Sequence, residues 1–292
     1  MGRLAKKFFH LIETLFSIKI IKRDAWQFLI NYDSNVINLG RWTNLTEEDF
    51  FGIKSFIREH LGLSYSQLQQ DLVAQFILLK AKELDESDAS SYYVEIGAND
   101  GIYLSNTYSL EKSLGWKGIL SEANQNLVPK LQTTRPSSLV DGRAVTDVSG
   151  QEVVLLMTKN SEYSSLKGIS IQSAQLEDST ESTVISVSLT DLLTEFSAPK
   201  NIGFLSVDTE GNEYEIIQGL DSNIYRFSFV AVEVSRNPKQ IKSLMESLGY
   251  TQVLEQISLW DQWWVDAKLL KDLEKREQRS SGMTGLVTSL EG

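Results

Sequence analysis

The chain has 292 residues with the composition of an ordinary globular protein, 41% hydrophobic and 23% charged. Its formal net charge of -11 makes it a poor general binder of nucleic acid, so we expect no nucleic-acid partner. It contains no cysteine, which excludes disulfides, thiolate zinc sites and cysteine nucleophiles and favours a reducing, cytoplasmic location. The two histidines, His10 and His60, lie outside the predicted α/β core, so a histidine-based triad is not expected.

Residues 1–91 are predicted to form a helical N-terminal extension. The first 23 residues are basic and apolar, but charged residues interrupt them and they are too polar to span a bilayer. We interpret them as a helix packed on the core or on a partner subunit, as in a homodimer. The alternative is an interfacial helix on an anionic membrane, which would place the protein at the membrane periphery. Two more helices are predicted over residues 46–60 and 66–84.

The most informative stretch is residues 92–114. Residues 92–96 are aromatic and β-branched and predict a buried parallel strand, and residues 106–114 predict a helix. Between them lies the turn Gly97-Ala98-Asn99-Asp100-Gly101. Gly97 is expected to allow a sharp backbone turn, and Gly101 to let a ligand approach the main chain closely. This order of elements is typical of a nucleotide-binding site, although a tight turn without a ligand has the same pattern.

The ligand is predicted from the glycine spacing and from Glu95. The dinucleotide pattern G-x-G-x-x-G is not met, because the third glycine is missing. Glu95 ends the strand, and a carboxylate facing the ligand suits a cation better than a pyrophosphate. S-adenosylmethionine carries a sulfonium and an amino group, so it is favoured over NAD. A second predicted strand, at residues 116–122, ends in Glu122, where doubly wound folds bind ribose hydroxyls.

The remaining elements alternate between strands and helices, which predicts a parallel α/β sheet. A long polar loop is predicted over residues 159–182. A closing hairpin after five βα units is typical of the Rossmann-like class I methyltransferase fold, a mainly parallel seven-stranded sheet with a terminal antiparallel hairpin. We assign this domain to residues 92–267 and a charged tail to residues 268–292. The further predicted strands are residues 137–140, 151–158, 183–188, 201–208, 227–234, 250–256 and 259–265.

Several segments resemble the FkbM family of S-adenosylmethionine-dependent methyltransferases. They are VEIGANDG, ILSEAN, the SSL of the middle loop, VSLTDLL and IGFLSVDTEGNEYEIIQGL. The resemblance spans about residues 92–250, and its specific part is the D-x-E-G-x-E pattern that begins at Asp208. Ser206 and Thr209 depart from the lysine and valine that are common in the family. The resemblance implies an O-methyltransferase that acts on a hydroxyl of a sugar, glycolipid or natural product.

The resemblance also implies which residues bind the cofactor, since they follow the first three strands. They are Glu95, Gly97, Asn99 and Gly101 at the methionine end, Glu122 at the ribose, and Asn124, Asp141 and Ala144 at the adenine.

Three carboxylates, Asp208, Glu210 and Glu233, are predicted to be catalytic. Asp208 ends a strand beside the first strand, and ligands bind outside the carboxyl ends of such strands. Methyl transfer to an alcohol needs in-line positioning and removal of the hydroxyl proton, which a carboxylate can accept.

Three alternatives stay open. In the first, Asp208 caps the next helix, a role that is compatible with catalysis. The three carboxylates would instead form a magnesium site, which the sequence does not favour, so no metal is assigned. The protein would instead bind the cofactor as a catalytically idle partner of a biosynthetic enzyme.

Overall fold

The structure is a computed structural model. It describes residues 41–42, 44–46, 48–84, 90–158, 164–168 and 179–288, with the backbone alone for residues 280–288. The predicted N-terminal helix over residues 1–23, with its membrane or subunit contact, lies outside the described residues. Within the part of the chain that is described, no helix has the length and apolar character needed to cross a membrane.

Helices and strands alternate through most of the described chain. The helices are α1 (Ile53–His60), α2 (Gln70–Lys82), α3 (Tyr108–Leu114), α4 (Val128–Thr134), α5 (Leu189–Glu195), α6 (Glu213–Gln218), α7 (Pro238–Ser247) and α8 (Ala267–Thr288). The strands are β1 (Ser90–Ile96), β2 (Lys117–Ser121), β3 (Leu139–Asp141), β4 (Ala144–Thr146), β5 (Glu152–Met157), β6 (Ser165–Leu166), β7 (Thr180–Ser188), β8 (Asn201–Val207), β9 (Arg226–Glu233), β10 (Tyr250–Val253) and β11 (Asp261–Asp266). Short 3-10 turns lie at Asp49–Gly52 and Leu61–Leu63.

The main sheet has seven strands in the order β10-β11-β9-β8-β1-β2-β3. Its strands run parallel except β11, which is antiparallel to both β9 and β10. The predicted α/β class with a mostly parallel sheet is therefore confirmed. The strand order changes direction between β1 and β8, where Ile96 is paired with Val207. The crevice at this switch point is where such folds bind ligands.

Both faces of the main sheet are buried, and adjacent residues of β11 illustrate this. Trp263 packs on one face with Phe229, and Trp264 packs on the other with Val230. Side chains of consecutive strand residues point to opposite faces, so a sheet covered on both sides needs unbroken apolar runs. The run at residues 229–232 of β9 meets that need.

Helix α2 belongs to the same core as the sheet. Its Leu72 and Phe76 lie in one apolar cluster with Phe204 of β8 and Phe229 of β9. The described part of the predicted N-terminal extension is therefore helical but is not a separate unit, because it covers one face of the main sheet.

Strands β4 to β7 form a second sheet, in the order β4-β7-β5-β6. The predicted strand at residues 183–188 begins three residues earlier, at Thr180, and pairs with β5 rather than with the main sheet. Inside the predicted loop over residues 159–182, Ser165 and Leu166 form β6. The second sheet carries these two residues to the carboxyl end of the main sheet, where both line a cavity of about 320 Å³.

A buried ion pair joins α3 to the end of α4. Arg135 Nε donates to Glu111 Oε2 at 2.6 Å, and Tyr93 donates its hydroxyl to the same oxygen at 2.8 Å. Arg135 Nη1 also donates to the carbonyl oxygen of Gly101 at 3.0 Å. The pair therefore fixes the loop that follows β1. Burial opposes ionisation of Glu111, but a hydrogen bond from Ser138 and the charge of Arg135 outweigh it and lower its pKa to about 2.

We expect Glu111→Gln to lower the free energy of unfolding at pH 7 by about 3 kcal/mol, because Arg135 is left buried without its anion. The pKa of Glu111 in the folded protein, about 2, lies below its ordinary 4.5. Its contribution is therefore complete above about pH 5 and is lost as the pH falls toward 2. Urea unfolding at several pH values should show the gap between wild type and variant shrinking on acidification. A gap that is constant down to pH 3 would contradict this account.

Candidate active site

A cavity of about 320 Å³ opens at the carboxyl ends of β1, β2, β8 and β9. Of the predicted cofactor residues, five line it: Glu95, Gly97, Asn99, Glu122 and Ala144. The three predicted catalytic carboxylates line it as well: Asp208, Glu210 and Glu233. The predicted residues Gly101, Asn124 and Asp141 do not line it.

Gly97 is required because the end of the neighbouring strand β8 approaches it closely. Its φ is +88°, in the left-handed region, and its N–H donates to the carbonyl oxygen of Ser121 at 3.0 Å. A Cβ at this position would lie 1.7 Å from the carbonyl oxygen of Asp208. The expectation of a sharp turn at Gly97 is met. A larger side chain would first displace the end of β8.

The expected role of Gly101 is wrong. Its φ of +77° does need glycine, but a Cβ would meet Leu131 Cδ1 at 2.4 Å and Arg135 Cγ at 2.9 Å. Leu131 lies in α4 and Arg135 directly follows it, so both atoms lie on the side of the turn that packs against α4. Gly101 therefore makes room for the packing of α4 and not for a ligand.

Glu95 lines the cavity and holds the loop above it. Its carboxylate accepts hydrogen bonds from the backbone N–H of Asn106 at 2.7 Å, from Ser105 Oγ at 3.0 Å and from Thr107 Oγ1 at 2.5 Å. Burial raises the pKa of Glu95, although the charge of Arg135 opposes the shift. These bonds keep Asn106 in the loop, and α3 starts at Tyr108 rather than at residue 106 as predicted.

Glu122 connects the first two loops of the site. Its Oε2 accepts from the backbone N–H of Asn99 at 2.8 Å, and its Oε1 accepts from that of Asn124 at 2.7 Å. A carboxylate offers about four lone-pair positions, so each oxygen keeps one for a ligand hydroxyl. Burial raises the pKa of Glu122 while these two bonds lower it, with a net rise.

The predicted adenine end is only partly as expected. Ala144 lines the cavity together with Val145, Leu155 and Leu166, which makes this end apolar. The Asp141 carboxylate instead accepts from Arg143, at 2.7 Å from the backbone N–H and 2.7 Å from Nη2.

Asn124 is engaged in the same way. Its Oδ1 accepts from the backbone N–H of Asn126 at 3.1 Å. Neither Asn124 nor Asp141 lines the cavity, and each side chain stabilises its own loop, so their places beside the adenine stay predictions.

The three predicted catalytic carboxylates converge. Asp208, Glu210 and Glu233 each place a carboxylate oxygen so that all three lie within 4.8 Å of one another. The register explains this for two of them, because Val207 is paired with Val232 and the next residues are Asp208 and Glu233. Glu210 adopts φ +58°, a conformation that is uncommon outside glycine and is often found at functional sites.

Asp208 is not the cap of the next helix. Helix α6 begins at Glu213, and its N-cap residue is Asn212, whose Nδ2 donates to the carbonyl oxygen of Val145 at 2.8 Å. The alternative in which Asp208 serves as a helix cap is therefore wrong.

Electrostatics distinguish this group of acids from ordinary surface carboxylates. Burial raises the pKa of Asp208 well above its usual range, and a hydrogen bond to Glu233 and the charges of Glu233 and Glu210 raise it further. Asp261 faces Glu233 across the β9–β11 pair, and burial raises its pKa to about 7. The site therefore collects carboxyl groups whose charges repel one another.

The model of the methyltransferase FkbM domain matches residues 95–258, which is more than half of the 292 residues. The chain belongs to the FkbM methyltransferase family. It has no match among the curated proteins.

Two solved methyltransferase structures are similar to the FkbM chain in outline. One is the precorrin-6y C5,15-methyltransferase from Geobacter metallireducens GS-15, with a TM-score of 0.33 and 11% identity, covering 62% of this chain and 71% of that one. The other is described as a sarcosine dimethylglycine methyltransferase from Galdieria sulphuraria, with a TM-score of 0.32 and 10% identity, covering 76% and 75%. At such scores neither likeness carries an argument about substrate.

Sequence reasoning missed the polar residues beside the acids of the FkbM site. A second cavity of about 30 Å³ adjoins the first and shares Asn106, Asp208 and Glu233 with it. Gln67 and Gln70 contribute from the start of α2, far from the FkbM motifs in sequence. Asn106 carried a weak signal, because it follows the glycine turn by only a few residues. No sequence pattern indicated that Gln67 or Gln70 belongs to the site.

We expect Gly97→Ala to lower the free energy of unfolding by about 2 kcal/mol more than Gly150→Ala does. Both glycines have positive φ, so both variants share a left-handed penalty of about 1 kcal/mol. Only Gly97 has a backbone atom in the way, since a Cβ on Gly150 meets nothing within 4 Å. Urea unfolding of both variants measures the difference, and equal losses would show that the approach of Asp208 is unimportant.

Proposed function

We propose that the chain binds S-adenosylmethionine and transfers its methyl group to a hydroxyl oxygen of a sugar, glycolipid or natural product. One observation carries the proposal: the cavity that holds Glu122 and the convergent carboxylates of Asp208, Glu210 and Glu233 meet at the same sheet edge. Membership of the FkbM methyltransferase family supports it independently.

The residues of the cavity fit this cofactor. A volume of about 320 Å³ lies within the range of small-molecule sites. The free lone pairs of Glu122 suit the two ribose hydroxyls, and the apolar end around Ala144 and Leu166 suits an adenine ring. When bound, S-adenosylmethionine supplies the methyl group from a sulfonium centre, which the acidic neighbourhood of Asp208 favours electrostatically.

The carboxylates are proposed to accept the proton of the acceptor hydroxyl. The acceptor hydroxyl would lie beside Asp208 and Glu233, and one of these carboxylates would accept its proton while the methyl group passes from the sulfonium sulfur to the oxygen and S-adenosylhomocysteine is left. The walls of the two cavities would hold the acceptor oxygen in line with the methyl group. Such positioning contributes more to the rate than removal of the proton does. The raised pKa of Asp208, caused by burial and by the hydrogen bond to Glu233, makes its carboxylate a stronger proton acceptor, which suits this role.

Glu122→Gln should weaken binding of S-adenosylhomocysteine by about 1.5–3 kcal/mol, roughly 10- to 100-fold in Kd. The amide keeps the shape but loses the charge that accepts the ribose hydroxyls. Calorimetry is expected to give a micromolar Kd for the wild type. Glu255→Gln, the same change at an exposed residue paired only with Lys242, serves as the control. Equal affinity in Glu122→Gln and wild type would place the ribose elsewhere.

Asp208→Asn should lower turnover about 10²–10⁴-fold while the affinity for the cofactor stays within a few-fold. The measurement uses methyl-labelled S-adenosylmethionine with glycolipid and small-molecule extracts as acceptors. Full activity in the variant would remove Asp208 from the mechanism. A wild-type protein that binds cofactor but labels no fraction would support the alternative function, a cofactor-binding partner without catalysis.

A further inference from the structure

The acids of the site are close enough to share one ion. The carboxylate oxygens of Asp208, Glu210 and Glu233 lie within 4.8 Å of one another before any ion draws them together. Magnesium and manganese prefer oxygen ligands, keep several waters and commonly use a few carboxylates. An acidic cluster alone does not make a metal site, so a second observation is needed.

Asn106 supplies that observation. Its side chain is only 7% exposed, and its Nδ2 donates to Ser206 Oγ at 2.8 Å. Its Oδ1 is buried and has no hydrogen-bond partner. Asn106 lines both cavities together with Asp208 and Glu233. Buried carbonyl oxygens are almost always satisfied, so this one lacks a partner that a cation or its bound water would provide.

The small cavity gives that partner room. Its volume of about 30 Å³ exceeds the roughly 10–15 Å³ that a cavity needs to hold one water molecule. Three carboxylates reach its wall, from Asp208, Glu233 and Asp261. The amide of Gln70 closes another side and donates to Asp261 Oδ2 at 2.8 Å. A polar space of this size fits one water of a hydrated ion.

Positive charge is scarce around these acids. Arg143 is the one basic residue among the described residues that line either cavity, and it is bound by Asp141 and Glu195. Arg41 acts on Asp261 electrostatically, but it donates to the carbonyl oxygen of Ile257 and to the side chain of Gln69. Among the described residues, neither arginine forms an ion pair with Asp208.

We infer that Asp208, Glu210 and Glu233 hold a divalent cation such as Mg²⁺ or Mn²⁺, with Asn106 Oδ1 as a further oxygen ligand, directly or through water. The inference rests on the proposed function of the same site, where the ion would bind and orient the acceptor hydroxyl. The neighbouring small cavity then holds a water ligand that the acceptor oxygen replaces.

Titration of the full chain with Mn²⁺ alone, followed by electron paramagnetic resonance and calorimetry, tests the inference. We expect about one ion per chain, and affinity at least about tenfold weaker in Asp208→Asn and in Glu233→Gln. Glu255→Gln makes the same chemical change at a residue that lines neither cavity and should bind like the wild type. Competition by Mg²⁺ should displace the bound Mn²⁺. S-adenosylhomocysteine binding, measured on the same samples, reports whether each variant is folded.

The outcomes separate the two proposals. A wild type that binds S-adenosylhomocysteine but no Mn²⁺ at millimolar concentration overturns the cation site and leaves the proposed function standing. Mn²⁺ binding that both carboxylate variants retain places the ion elsewhere and also overturns the site. Failure of the wild type to bind either ligand overturns both proposals.

Asn106→Asp tests the inference with a variant that keeps an oxygen atom for the ion at this position. The new carboxylate adds repulsion without an ion, so the Tm in the presence of chelator should fall below that of the wild type. With saturating Mn²⁺ the Tm should recover, because ligand binding stabilises the folded state in proportion to affinity and concentration. If Mn²⁺ raises the Tm of Asn106→Asp by no more than it raises the Tm of Asp208→Asn, Asn106 is not a ligand of the ion.

Discussion

The site depends on how closely the ends of β1 and β8 approach each other. The carbonyl oxygen of Asp208 occupies the place that a Cβ of Gly97 would take, and the N–H of Asp208 donates to the carbonyl oxygen of Ile96 at 3.0 Å. This contact sets the glycine turn directly beside the acids, with no side chain between them. Under the proposed function, a methyl donor bound at the turn and an acceptor at Asp208 would then be neighbours.

Concentrating acids at this edge has a cost in stability. Carboxyl groups that repel one another and are withdrawn from water raise the free energy of the folded state unless protons or cations compensate them. The rest of the fold offsets that cost with interactions away from the site, such as the buried pair of Arg135 and Glu111 and the apolar faces around Trp263 and Trp264. Function at one edge is thus supported by rigidity elsewhere.

Strong local patterns made the main elements predictable. The apolar runs of β1, β8 and β9 and the acids at their ends follow from strand periodicity and from the rule that ligands bind at carboxyl ends. Asp208, Glu210 and Glu233 were found in this way. The register that brings Asp208 beside Glu233 is a property of the assembled sheet.

Contacts between distant segments were not predictable. Gly101 has the backbone expected of a ligand-binding glycine, but the atoms that need its space belong to Leu131 of α4 and to Arg135 just after it, 30 and 34 residues along the chain. Asp141 and Asn124 stand at the expected loops, yet short-range hydrogen bonds turn their side chains away from the cavity. The pairing of β5 with β7 in a second sheet is likewise a long-range choice. Periodicity reports which face of an element is buried, and it does not report the partner.

The position of α2 has a consequence for how relatives diverge. Gln67 and Gln70 wall the side of the site where an acceptor would lie, but they precede residue 95, where the family match begins. Two proteins could be nearly identical over the matched span and still present different walls to their acceptors. Selection on acceptor choice can therefore act on α2 without disturbing the glycine turn or the acids. Since Leu72 and Phe76 of α2 pack with Phe204 and Phe229, the helix that carries Gln70 is also constrained on its other face by the core.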